Sequence, residues 1–177
     1  MKKLLVSLPL LLLLAACGSA PDDDTSSPSP SATPSAVPSA TPSTPAFTDV
    51  SRGDTDSIVR LLQFTPGRNQ AVVVEPVIFM TNPEFCETFR IPADDKRCTY
   101  AWSTAGSEAK ITLPRADDAI FALVDQSDLS ACMDDMGAGS CEVPATDFAD
   151  HVGEGPTLIR LTTDDGVAVR LAELYVP

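Results

Sequence analysis

The chain reads as mainly β with minor α: a small antiparallel barrel or strongly bent sheet, decorated by two disulfide-clipped loop/helix excursions. Three observations lead there. Residues 57–64 (SIVRLLQF) and 70–80 (QAVVVEPVIFM) are runs of branched and aromatic side chains on either side of Thr65-Pro66-Gly67-Arg68-Asn69, whose Pro-Gly step suits a type II turn. Residues 157–163 and 167–176 flank Asp164-Asp165-Gly166, and Asp-Gly between apolar runs is a strong hairpin signal. Cys86, Cys98, Cys132 and Cys141 follow one another in an order that suits two local bridges.

Each element has its own reason. In the first hairpin Pro76 cannot donate to a ladder, so the strand is an edge there or is bulged. In the last strand Val167, Val169 and Leu171 alternate with Ala168, Arg170 and Ala172, which gives one core face and one partly wet face. Weaker strands are expected at 99–103, 110–113 and 119–124. Helix is confined to three short pieces. Asn82-Pro83-Glu84 supplies an N-cap, a first-turn proline and an acidic first turn for a helix ending near Phe89. Residues 128–136 form the second, with Gly137 as its stop, and 146–152 (TDFADHV) the third, ended by Gly153.

Setting aside Cys17 in the N-terminal segment, the four remaining cysteines are an even count, which in an exported chain reads as disulfides with three connectivities open. The order favours Cys86–Cys98 and Cys132–Cys141, each clipping a short loop and contributing about 2–3 kcal/mol by restricting the unfolded chain. Zinc is the rival, but its cysteines come in tight pairs, and no C-x-x-C occurs here. No cofactor is expected.

The N-terminus sets the address. Lys2 and Lys3 precede an apolar run over residues 4–16, broken by Ser7 and Pro9. That run falls short of the roughly 20 residues a spanning helix needs and has the form of a secretory leader. Its end, Leu14-Ala15-Ala16-Cys17-Gly18, resembles the lipobox of bacterial lipoproteins. The resemblance implies cleavage after residue 16, a diacylglycerol on the Cys17 thiol and acylation of the new amine. An ordinary signal peptide cut near Ala16 is the alternative. Two or three acyl chains, at about 0.8 kcal/mol per buried methylene, hold a protein stably on a membrane. The membrane is thus the first expected partner, and the place is extracytoplasmic, on the cell membrane or the outer membrane. Residues 17–46 follow as a tether, with Pro21, Pro28, Pro30, Pro34, Pro38, Pro42 and Pro45 set among Ser, Thr and Ala. Proline at that density blocks helix and ladder alike, leaving a solvated, extended chain. Residues 47–177 remain as one globular domain.

The segment VRLLQFTPGRNQAVVVEPVIFM resembles the opening of a domain found in uncharacterised secreted proteins of actinobacteria, in which a strand, a turn and a second strand begin the fold. TTDDGVAVRLAELYVP is similar to the closing strands of that domain, which end in Tyr-x-Pro. The resemblance implies a β-rich secreted domain and no activity.

Charge narrows the partners. The chain carries 25 acids against 12 bases, and setting aside Lys2, Lys3, Asp22, Asp23 and Asp24 leaves the domain at −12. Such a field repels nucleic acid and anionic headgroups and suits cations or basic protein surfaces. The single histidine, His151, has no G-x-S-x-G elbow or catalytic cysteine context to join, and reads as a surface or helix-end cation. Acids cluster at Asp54/Asp56, Asp94/Asp95, Asp117/Asp118, Asp125/Asp128 with Asp134/Asp135, and Asp164/Asp165. Without an alternating calcium loop these read as solvated turns. A calcium-stabilised domain using Asp125 through Glu142 is one alternative. An envelope hydrolase whose carboxylates converge only in space is another, although one Trp and two Tyr offer little sugar platform. Arg52-Gly53-Asp54 is a short match of the kind chance supplies. Arg90, Lys96 and Arg97 bracket the first clip as the only locally positive surface, either a contact patch or partners for Glu84, Glu87, Asp94 and Asp95. The expectation is a non-enzymatic, membrane-tethered module that binds a protein or envelope component through its two clipped loops, with no catalytic or metal-ligating residue assigned.

Overall fold

A computed structural model describes residues 45–67, 71–153 and 155–176. The expected leader, Cys17 and the expected tether as far as residue 44 lie outside the described residues, as do Arg68 and Asn69 of the first turn. The fold is mainly β. Strand β1 (Thr55–Gln63) pairs antiparallel with β2 (Ala71–Thr81). At the other end β6 (Thr157–Asp164) pairs antiparallel with β7 (Val167–Glu173). The Asp165-Gly166 turn between them has φ of 47° and 76°, the left-handed pair that a two-residue hairpin matching strand twist requires.

Between the hairpins run β3 (Trp102–Gly106), β4 (Ile111–Leu123) and β5 (Cys141–Val143). The two weak strands expected at 110–113 and 119–124 are a single 13-residue strand, β4. Its middle looks unlike a strand because pairing with β7 slips between Arg115 and Ile120, leaving Asp117 and Asp118 exposed. No strand begins at residue 99. The chain makes a 3-10 turn over Lys96–Thr99 before β3 starts.

Five strands close on themselves in the order β1-β2-β4-β7-β6, with β6 returning to β1. The barrel is mixed rather than wholly antiparallel, because β4 and β7 run parallel. A parallel pair needs a long crossover, and here it contains α2 (Leu129–Cys132), α3 (Ala145–Val152) and β6. β3 extends the sheet beyond β2, and β5 extends it beyond β4.

The core fills the ring: Val59 and Leu61, Val72 and Val74, Leu113 and Phe121, Ile159 and Leu161, and Leu171 are all buried. Helix α3 closes one end. Its Phe148 is fully buried, with ring centroids 5.4 Å from both Phe64 and Phe121. In β7 the expected alternation fails. Ala168 is fully buried while Val167 and Val169 are half-buried, because the β6–β7 register slips between Thr162 and Thr163 and turns the strand over.

Both clips are present. The Cα atoms of the bonded Cys86 and Cys98 lie 6.0 Å apart, and those of Cys132 and Cys141 lie 4.8 Å apart. The helices inside them are shorter than expected. α1 (Glu84–Thr88) starts with no side-chain cap, since Asn82 turns its amide away to other partners. α2 covers only Leu129–Cys132, capped by Asp128 on the Ala131 N–H, because Met133 then bridges to Gly139. Gly137, expected to stop that helix, lies instead in the tight turn between them at φ 79°. This second clip lies flat on the barrel. A Cβ on Gly139 would come within 2.5 Å of the Leu123 carbonyl carbon, so only glycine allows the approach that packs Ala138 against Ala122 and Ala172.

Candidate aromatic binding site

Past Pro76 the two partners of β2 change. On one edge the β1–β2 ladder ends at Val59↔Pro76, and on the other β4 ends at Val74 and β3 pairs from Val77 to Thr81. Alternation places Phe79 and Thr81 on one face of this ribbon with Trp102 and Thr104. Trp102 and Phe79 are diagonal neighbours, centroids 5.5 Å apart and 22° from parallel, the offset stack that ring quadrupoles favour. The same face continues onto the barrel, where Arg60 forms an ion pair with the mostly buried Glu75 and reaches the Thr104 hydroxyl at 3.4 Å. Glu75 also accepts the Glu108 N–H at 2.9 Å, fixing the turn after β3.

The first clip is fastened beside this face by polar side chains. Asn82 donates to the carbonyls of Arg97 (2.7 Å) and Tyr100 (2.8 Å), and Ser103 donates to the Arg97 carbonyl at 3.0 Å. Asp95 caps the 3-10 turn by accepting the Arg97 N–H at 2.9 Å. Its carboxylate also grips the Arg97 guanidinium at 3.0 and 2.8 Å, and these bonds pull the Asp95 pKa down to about 2. Arg97 therefore presents a charged guanidinium that is paired and oriented by Asp95. Of the expected ion pairs at this clip, Arg97–Asp95 forms, while Arg90 and Lys96 make none among the described residues.

The result is a pocket of about 390 Å³ lined by Arg97, Tyr100, Ala101, Trp102, Ser103 and Thr104. Tyr100 stands 62% exposed at its side. The lining offers an indole face, a phenol, hydroxyls and one held guanidinium, a combination that grips a flat or apolar group and orients it through polar contacts. Among the described residues no carboxylate lines it. Sequence reasoning reached the clip but missed Phe79, Trp102 and Thr104. They converge only through the β2–β3 register, which the misplaced start of β3 concealed.

The remaining candidates serve the fold. Asp125 accepts from Ser127, Asp128 from Ser130 and Ala131, and Asp134 from Met136 and Ala138. Among the described residues no three His, Cys, Asp or Glu side chains are gathered as a metal site would gather them. Arg52-Gly53-Asp54 sits under the last hairpin: the Gly53 carbonyl accepts the Gly166 N–H at 3.0 Å, and Asp54 accepts the Asp165 N–H at 3.0 Å. His151 meets Glu173 at 2.9 Å, and the other oxygen of Glu173 holds the Val124 N–H, so this pair ties α3 to β7 and the end of β4. The second clip brings together Asp56, Asp134, Thr162, Arg160 and Arg170 in a polar pocket of about 240 Å³. There Arg160 holds Asp56 through two 2.7 Å bonds and Asp134 at 3.1 Å, which lashes the clip to β1 and β6. Compared with protein-family models, curated proteins and solved structures, the chain matches none of them.

Proposed function

We propose that the chain is a membrane-anchored extracytoplasmic lipoprotein whose globular domain is a non-enzymatic binding module for a protein or envelope component. The observation that carries this reading is the aromatic pocket beside the first clip, where Trp102 is stacked on Phe79 and flanked by Tyr100 and Arg97. Large rigid rings with polar handles are the groups that dominate recognition surfaces. No carboxylate among the described residues lines this pocket, so a neutral or anionic group meets no like charge at its walls even on a domain of net charge −12. The anchoring half of the reading rests on the lipobox and the tether, which suit a module that must search for its partner.

Trp102 is the chain's single tryptophan, so its fluorescence reports on this pocket alone. Titrating the full-length protein with soluble cell-wall glycan fragments, and separately with detergent-solubilised envelope proteins, should shift that emission with one of them. Tyr100→Ala should weaken the response about tenfold or more, the loss of a hot-spot ring. A flat titration with both would remove the binding reading. Radiolabelled fatty acid should enter the wild-type protein and not Cys17→Ser. Unlabelled wild type would remove the anchor and leave the pocket untouched.

A further inference from the structure

We infer that the domain has a second docking surface, a wedge between β1 and β2 that accepts an extended, cationic polypeptide segment as an added strand. It goes beyond the reading of the aromatic pocket, because it rests on backbone edges rather than on side-chain chemistry. The two strands pair as far as Val59↔Pro76 and then part: β1 continues over Thr55–Ile58 beside β6 alone, and β2 continues over Val77–Thr81 beside β3 alone. Continued pairing would set Ser57 opposite Ile78 and Asp56 opposite Phe79, and neither pair forms among the described residues.

The direction of the unpaired groups follows from the ladders. On the β3 side the Pro76 carbonyl accepts the Ser107 N–H at 3.1 Å, and the Asn82 N–H donates to Ala101 at 3.0 Å. Backbone groups alternate along a strand, so even-numbered residues of this half of β2 bond toward β3. The N–H and C=O of Phe79 and Thr81 therefore point into the wedge, where no backbone partner meets them among the described residues. Space is there to meet them. A groove of about 300 Å³ runs between Ser57 and Ile58 on one wall and Val77–Met80 on the other, bordered by Pro45, Ala46 and Thr48. It shares Ser57 and Ile58 with a second hollow of about 220 Å³ that leads to Met136 and Leu174. Where the two meet, the Ser57 hydroxyl is buried without a hydrogen-bond partner.

An open edge beside a groove is the receptor half of strand addition. The occupant has to bring backbone donors and acceptors, small or branched side chains for the groove, and no proline on the paired edge. The −12 field of the domain makes it a basic segment.

The test uses the ¹⁵N-labelled full-length protein in detergent micelles, with residue-resolved amide exchange. In the free protein the Phe79 amide should exchange about tenfold or more faster than those of Ile78 and Met80, which the β3 ladder protects. The probe is the synthetic peptide Lys-Val-Thr-Val-Thr-Val-Thr-Lys. It should slow exchange at Phe79 about tenfold or more, whereas a twin N-methylated at alternate residues should not. A twin with Glu in place of both Lys should bind several-fold more weakly at low salt, the difference fading as salt rises. Phe79→Leu keeps the edge N–H and most of the groove wall and should keep binding, and Phe79→Pro removes the N–H and should lose binding. Trp102→Ala should leave this binding intact, which separates it from the aromatic pocket. A Phe79 amide already as protected as Met80 in the free protein overturns the open wedge. No protection with the lysine peptide at millimolar concentration overturns strand addition. Protection that rises with protein concentration alone assigns the wedge to a second copy of the chain and overturns the basic partner.

Discussion

Replacing Phe148 by alanine tests whether α3 closes the barrel as a plug or merely rests on it. Phe148 is fully buried and touches two other rings, edge-on to Phe64 and tilted against Phe121, with centroids at 5.4 Å in each case. Truncating a buried Phe costs about 3–5 kcal/mol, and the cost depends on how far the surroundings collapse. Here they cannot collapse far, because the five strands beneath are hydrogen-bonded into a closed ring. The loss therefore falls in the upper half of that range. A domain of this size has about 7–15 kcal/mol in all, so the variant should still fold. At roughly 3–5 °C per kcal/mol its melting temperature should drop by about 12–25 °C. Phe148→Leu keeps most of the buried area and should cost about 1–2 kcal/mol. Scanning calorimetry of wild type and both variants measures the differences directly. A Phe148→Ala protein that melts within a few degrees of wild type would refute the plug and the end-on seating of α3.

The lashing of the second clip predicts a pH response. Two bonds from Arg160 hold the Asp56 carboxyl below the usual carboxylate range. A depressed folded pKa adds stability that is complete above the unfolded value near ~3.9. That stability is lost as the pH falls through the lower folded value. Melting curves from neutral pH down to acid should therefore fall less steeply for Arg160→Met than for wild type. Equal slopes would show that solvent screening of the partly exposed Asp56 leaves the pair idle. Non-reducing peptide mapping should recover Cys86 with Cys98 and Cys132 with Cys141. A peptide joining Cys86 or Cys98 to either of the other two would contradict both clips.

The hairpins were legible because their signals are local. Branched apolar runs and an Asp-Gly turn specify β1–β2 and β6–β7 without reference to the rest of the chain. The clips were legible for a similar reason, since sequence proximity favours short loops. What escaped was set by partners distant in sequence. The parallel β4–β7 pairing that makes the barrel mixed has no local signature, and it is also what hid β4, whose Asp117 and Asp118 sit where that pairing is irregular. Asn82 looked like a helix cap from its neighbours. In the fold its amide is taken by carbonyls fifteen and eighteen residues away, and by holding them it shapes the aromatic pocket. The reading that one Trp and two Tyr give little aromatic surface counted residues and not their arrangement. Phe79 joins Trp102 because β2 runs on past its last pairing with β4, at Val74, and takes β3 on that edge from Val77. On the opposite edge of β2, the parting from β1 after Pro76 leaves the wedge. The proline that looked like a flaw in the strand thus marks where the barrel ends and both candidate contact surfaces begin.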